Sequence, residues 1–354
     1  MTPHLSRTLT TIPDLAELNA ECQHAPVVID DPTIVYGKGE LGAMAMDYLR
    51  AINRPAFHQI DADWLVSLPR IPGPMLDALV LVAVARWPYV PIEQTLTDHG
   101  FTNVAPFLDV TPLHPEHPLA NGWFADPLNL DRVQSVLDMF ADDVSRAHYV
   151  QFLAWRRLRE EWTFEGAPVD VDGPRYWPPE VASVLNQGHE VFIDGGSYDG
   201  KVSEQFLYRF GGETVTIDGA GQPNILCALS DGDDRVSFLT GYGYANRIRP
   251  HKVPNTHMKR RDRYALDTVV NDSRTVPTFI KLHLEGHELP ALRGAAKTIE
   301  THRPILSIAC YHQPDTMTDI PLWLKEHCEG YRFLWRNHAY AGESAVIYAI
   351  PQER

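Results

Sequence analysis

The stretch VFIDGGSYDGKVSEQF, residues 191–206, decides how this chain is read. Three apolar residues run into Asp194, three glycines follow at positions 195, 196 and 200, and a helical pattern begins at Lys201. A strand that passes through glycines into a helix is the repeating unit of a parallel α/β sheet, because a parallel neighbour is reached only by a crossover. Glycine at such a junction permits a tight turn and lets a ligand approach the backbone.

The spacing here is D-x-G-x-x-x-G, from Asp194 through Gly196 to Gly200. It differs from the phosphate-directed G-x-G-x-x-G. A turn of this kind suits S-adenosylmethionine: Gly195, Gly196 and Gly200 admit the methionine part beside Ser197, and Asp194 and Asp199 face its ammonium and ribose groups. The plainer alternative is a bare strand–helix turn in which Asp199 caps the helix. The cofactor reading is placed ahead of it.

Downstream, FIKLHLEGHE (279–288), PILSIACYH (304–312) and SAVIYAIP (344–351) read as further strands. Ligands of an open α/β sheet lie beyond the carboxyl ends of its strands. Two of these strands end in His283, Glu285 and His312, the candidate catalytic residues, since imidazole and carboxylate suit proton removal near neutral pH. Metal ligation is the minority reading: HELPA lacks the second histidine of H-E-x-x-H and Gly286 interrupts a helical pair, which leaves only a mixed site with His312. Glu288 reads as ordinary first-turn acidity of a helix.

Upstream, TIVYGKGELGAMAMDYLRA (33–51) carries a second glycine loop, Gly37, Gly39 and Gly42, between a strand and a helix, with Asp61 at the end of the next strand. This fits a nucleotide-binding turn and fits equally a turn that is glycine-rich only for packing. AFHQIDAD and ALVLVAVA are strands and PIEQTLTDHG a short helix, which makes a small α/β unit. Residues 1–30 read as an irregular or partly helical lead-in. Residues 129–162 read as a helical connector, with stripes Val133, Val136, Leu137, Phe140 and Val150, Leu153, Ala154, Leu158. The domain boundary is set at residue 125: residues 1–125 form a smaller Rossmann-like domain, and 126–354 the connector plus a second, mostly parallel α/β domain with helices on both faces.

Composition narrows the function. A formal net charge of −15 argues against nucleic acid as partner. The most apolar run, MLDALVLVAVARWPYV, is too short to span a bilayer, and the first residues lack the apolar core of a signal peptide. Four scattered cysteines, without metal-ligand spacing, point to a reducing, cytoplasmic setting. Seven of the 31 Lys and Arg fall in RIRPHKVPNTHMKRRDR (247–263), which suggests an anionic acceptor. Oligomerisation is compatible with the sequence.

The second half resembles the FkbM-type S-adenosylmethionine-dependent methyltransferases. FIDGGSYDG, ALSDGDDRVSF, ALDTVV and the block from TFIKLHLEGHE to PLWLKE carry the resemblance, which extends loosely over residues 31–350. It implies methyl transfer to a hydroxyl of a sugar or secondary metabolite, S-adenosylmethionine as cofactor, and Asp218 as the ribose-binding acid. Two departures stand out. The family's D-[VI]-E-G reads His283-Leu284-Glu285-Gly286 here, and only GAGQP follows Asp218 where a crossover helix is usual. The departures leave room for a decayed, non-catalytic binding protein. A nicotinamide or nucleotide-sugar enzyme acting through the first glycine loop is the other alternative.

Overall fold

The computed structural model describes residues 2–30, 32–67, 71–114, 126–197, 200–217, 265–274 and 276–354. By contacts the chain divides into two units, each discontinuous in sequence, where the sequence reading draws one boundary near residue 125. The first comprises Met1–Leu130, Arg146–Val171 and Asn337–Ser344; the second comprises Asp131–Ser145, Asp172–Arg336 and Ala345–Arg354.

In the first unit the strands are β1 (Ser6–Leu9), β2 (Thr33–Tyr36), β3 (His58–Ile60), β4 (Leu79–Val82), β5 (Asn103–Pro106) and β6 (Glu161–Phe164). The order β3-β2-β4-β5 forms a wholly parallel sheet. Helices Glu40–Ala51 and Tyr89–Asp98 follow β2 and β4. Side chains alternate across a strand, and β4 is apolar on both faces: Val80 and Val82 join one core cluster, Leu79 and Leu81 the other. That double burial explains its unbroken apolar run.

Two elements correct the sequence reading. The lead-in contains β1, and the end of the connector is β6, paired in parallel with Ser6 opposite Glu161. The connector is two helices, Leu130–Leu137 and Asp143–Leu158. The second stops where Arg159 turns left-handed (φ +57°) and the aromatic, β-branched EWTF takes over. Its pairing partner lies some 150 residues away, so no local pattern announces it.

The second unit contains β7 (Val191–Gly195), β8 (Glu213–Ile217), β9 (Phe279–Leu282), β10 (Ile305–Ala309), β11 (Tyr331–Asn337) and β12 (Ala345–Pro351) in the order β11-β12-β10-β9-β7-β8. Pairings among β8, β7, β9 and β10 are parallel, and β12 is antiparallel to β10. The mixed, mostly parallel α/β fold expected from the sequence is therefore present. Helix Lys201–Phe210 leaves the end of β7 and is anchored by Phe206 and Phe210, one helical turn apart. Phe206 stacks on Phe192 with ring centres 4.4 Å apart and packs edge-on to Trp177. Each such buried ring contributes about 1.5–3 kcal/mol, which fixes the start of the helix against the strand end.

Candidate active site

β7 ends at the glycine turn. Gly196 donates to Ile217 O (2.8 Å), and His283 N donates to Gly195 O (3.0 Å), so the turn is bonded to the ends of both β8 and β9. Gly196 has φ +76°, and a Cβ there would lie 1.8 Å from His283 O; a Cβ on Gly195 would lie 2.8 Å from Leu282 Cδ2. Close strand packing accounts for both glycines. Gly200 is different. It is left-handed (φ +78°) at the helix start, but among the described residues a Cβ would meet no atom within 4 Å. Ser197 is buried, and its N–H donates to Ile217 O at 3.3 Å.

Asp194 is wholly buried, and both its oxygens have partners within the protein. Lys281 Nζ donates to Oδ1 (2.8 Å) and Ser203 Oγ to Oδ2 (2.7 Å). Lys281 also donates to Gly196 O (2.7 Å) and lies over the Tyr176 ring at 5.0 Å. The expectation that Asp194 faces a ligand's ammonium directly is thereby revised: its carboxylate clamps β7, β9 and the first turn of the helix together.

β9 runs into a wound loop. Glu285 and Gly286 have φ +50° and +98°. The loop circles the buried carboxylate of Glu288, which accepts from Leu284 N (2.6 Å) and Gly286 N (3.0 Å). Glu288 Oε1 also lies 2.7 Å from His312 Nδ1. The reading of Glu288 as mere helix-start acidity is corrected by this burial and by its imidazole partner. His283 Nε2 lies 3.3 Å from Glu285 Oε1, and His312 Nε2 3.7 Å from Glu285 Oε2. On the far side of its ring, His283 Nδ1 meets Tyr176 OH at 2.6 Å, and Tyr311 OH lies 3.3 Å from Nε2. The three residues picked from strand ends thus converge.

Burial pushes the His283 imidazole down to about 4, against the opposing pull of Glu285, so the ring is neutral at pH 7. Burial would raise Glu285, but its hydrogen bond to His283 and the field of His312 outweigh that and hold it at about 2. Glu288 is likewise held below the usual range despite burial, chiefly by His312 and the Leu284 N–H. At neutral pH the cluster therefore presents the neutral His283 imidazole beside the Glu285 carboxylate.

In the first unit the other glycine loop is largely explained by packing. A Cβ on Gly37 would lie 2.5 Å from Ala83 O, and one on Gly42 2.1 Å from Gly37 O; only Gly39 is open. Asp61 pairs with Lys38 Nζ (2.9 Å) and accepts from Trp64 N. Asp199, Asp218, the short segment after Asp218 and the basic stretch 247–263 lie outside the described residues.

The stretch from the end of the second unit's first crossover to β11 decides the relationship. Residues 215–333 match the Methyltransferase FkbM domain family. This bears out the FkbM resemblance, and the chain carries a methyltransferase domain. The match includes the His283–Glu288 loop and His312 and begins after the Asp194–Gly200 turn. The crystal structure of Methyltransferase FkbM from Methylobacillus flagellatus KT is similar over 96% of this chain and 94% of that chain, with a TM-score of 0.53 and 16% identity. At that identity the likeness shows a shared fold. No curated protein matches the chain.

Lys281, Ser203, Tyr176, Tyr311 and Glu288 are the site residues that sequence reasoning missed. Lys281 left a signal, a lysine inside the apolar run FIKL, where burial demands an anionic partner. Tyr176 lies in a Pro/Gly-rich segment with no periodicity and left none.

Proposed function

We propose that the second unit transfers a methyl group from S-adenosylmethionine to a hydroxyl of a sugar or secondary metabolite. One observation carries the reading: the glycine turn ending β7 and the His283–Glu285 loop ending β9 are directly hydrogen-bonded neighbours. A cofactor at the first and an acceptor at the second would be adjacent.

The turn suits the cofactor where protein packing leaves room. The open side of Gly200 and the N-terminal turn of helix Lys201–Phe210 would receive its carboxylate, with Ser197 alongside. Bound there, S-adenosylmethionine supplies an electrophilic methyl group. The chain's own residues align the acceptor and take its proton, and in such reactions alignment contributes much of the rate. His283 and Glu285, backed by His312, are the proton-accepting group. The first unit would bind a nucleotide-linked or glycosyl ligand or serve as an interaction module. Among the described residues no helix is long and apolar enough to cross a membrane.

The test is calorimetric titration of the whole chain with S-adenosylmethionine, its demethylated product and NAD. The expected outcome is one equivalent of each sulfur ligand and no NAD. Binding of NAD alone would move the activity to the Gly37–Gly42 loop, and binding of none would favour a decayed methyltransferase.

A further inference from the structure

We propose that His283, Glu285 and His312 bind one divalent transition-metal ion of the zinc or cobalt type. Each contributes one donor atom, and these atoms lie within 4.8 Å of one another. Donors about 2.1 Å from a tetrahedral ion are about 3.4 Å apart. His283 Nε2 lies 3.3 Å from Glu285 Oε1 and His312 Nε2 3.7 Å from Glu285 Oε2, so each ring nitrogen stands at about that spacing from an oxygen of the same carboxylate. Glu285 is the most exposed of the three and closes the set with small side-chain rotations.

The surroundings of the two rings carry the argument further. Metal-ligating histidines hold their second nitrogen on a carboxylate, a carbonyl or another polar group, which fixes the ring and its tautomer. Both rings here have Nδ1 within 2.7 Å of such a group. His312 presents Nδ1 to Glu288, itself fully buried and clamped by two backbone N–H groups. His283 presents Nδ1 to Tyr176 OH. Each ring is therefore turned with Nε2 toward the same carboxylate. A pair built only for proton transfer needs one oriented imidazole; two, each with its own outer partner, converge as ligands do. The backbone is also wound for this: Glu285 sits at φ +50°, a conformation that costs a non-glycine residue about 1 kcal/mol or more. Lys281, whose charge is felt at His283 and Glu285, is paired to Asp194 at 2.8 Å, which offsets much of its repulsion of a bound ion.

Donor chemistry selects the ion. Two imidazoles and one carboxylate suit zinc, cobalt, nickel or iron, whereas magnesium requires oxygen donors. Three protein ligands leave a position open, as in catalytic zinc sites. If the unit transfers methyl groups as proposed, that position would take the acceptor's hydroxyl oxygen and lower its pKa, so that with the ion bound the proton is lost to solvent and His283 and Glu285 act as ligands in place of the base they supply without it.

The experiment uses the whole chain after chelator treatment. Zinc, cobalt and magnesium chlorides are titrated separately by calorimetry, and the cobalt complex is followed by its visible absorption. One equivalent of zinc and of cobalt is expected, with the absorption of a low-coordinate imidazole complex, and no heat with magnesium. His283→Asn and His312→Asn retain an atom near Nδ1 but none at Nε2, and each should weaken zinc binding at least about 100-fold. Glu285→Gln, at a side chain 45% exposed, should weaken it about tenfold or more and serves if the asparagine variants do not fold. Absence of a zinc or cobalt equivalent, or zinc binding unchanged in Glu285→Gln, overturns the site. S-adenosylmethionine binding by the metal-free chain is measured in parallel, so a failed cofactor reading and a failed metal site give different results.

Discussion

Lys281→Met should destabilise the second unit by about 3–5 kcal/mol, the usual cost of stripping one partner from a buried ion pair. Lys281 and Asp194 are 1% and 0% exposed, and the ammonium lies 2.8 Å from the carboxylate. Without it the carboxylate keeps, among the described residues, only the Ser203 hydroxyl, and Gly196 O loses the Lys281 donor. Removing both charges is a different matter. Lys281→Met with Asp194→Leu leaves no orphaned charge and should recover most of the loss, since buried pairs replaced by apolar residues are often neutral in stability. Denaturant unfolding of the two variants measures this. A single-mutant loss below about 1 kcal/mol would show that the pair is not the clamp described here.

Gly196→Ala should cost about 3 kcal/mol or more, the sum of left-handed strain of about 1 kcal/mol and an overpacking cost of about 2 kcal/mol. The added Cβ would sit 1.8 Å from a backbone oxygen at the end of β9, which cannot swing aside as a side chain does. Gly200→Ala is the internal control. Its φ is nearly the same, +78° against +76°, but none of the described residues crowds the space beside it, so it should cost only the strain, about 1 kcal/mol. The difference in thermal midpoint between the two variants isolates the contact with His283 O. Equal losses would mean that backbone strain alone, and not the β7–β9 contact, requires glycine at 196. A valine at Gly196 is therefore a poor probe of cofactor binding, because it disturbs the strand junction itself.

Much of this architecture was legible in the sequence because it rests on local periodicity. The strands ending at Tyr36, Ile60 and Val82 and the β7 turn into helix Lys201–Phe210 follow from apolar runs, glycine and helical spacing. So does the convergence of His283, Glu285 and His312, because residues at the carboxyl ends of neighbouring parallel strands must meet. What escaped depends on distant partners. β1 and β6 are short and find each other across more than 150 residues. Glu288 looked like a helix-start acid; only the winding of residues 283–288 around it shows a buried carboxylate facing His312. Asp194 looked like a ligand for a cofactor because its cationic partner stands 87 residues away.

The most direct test of the central claim is hydrogen–deuterium exchange of the whole chain with and without saturating S-adenosylmethionine. A bound ligand slows exchange where it orders the backbone. The account predicts slowed exchange in peptides covering residues 195–204 and 283–288, with residues 37–42 unchanged. Protection confined to 37–42, or no protection in either place, would contradict it.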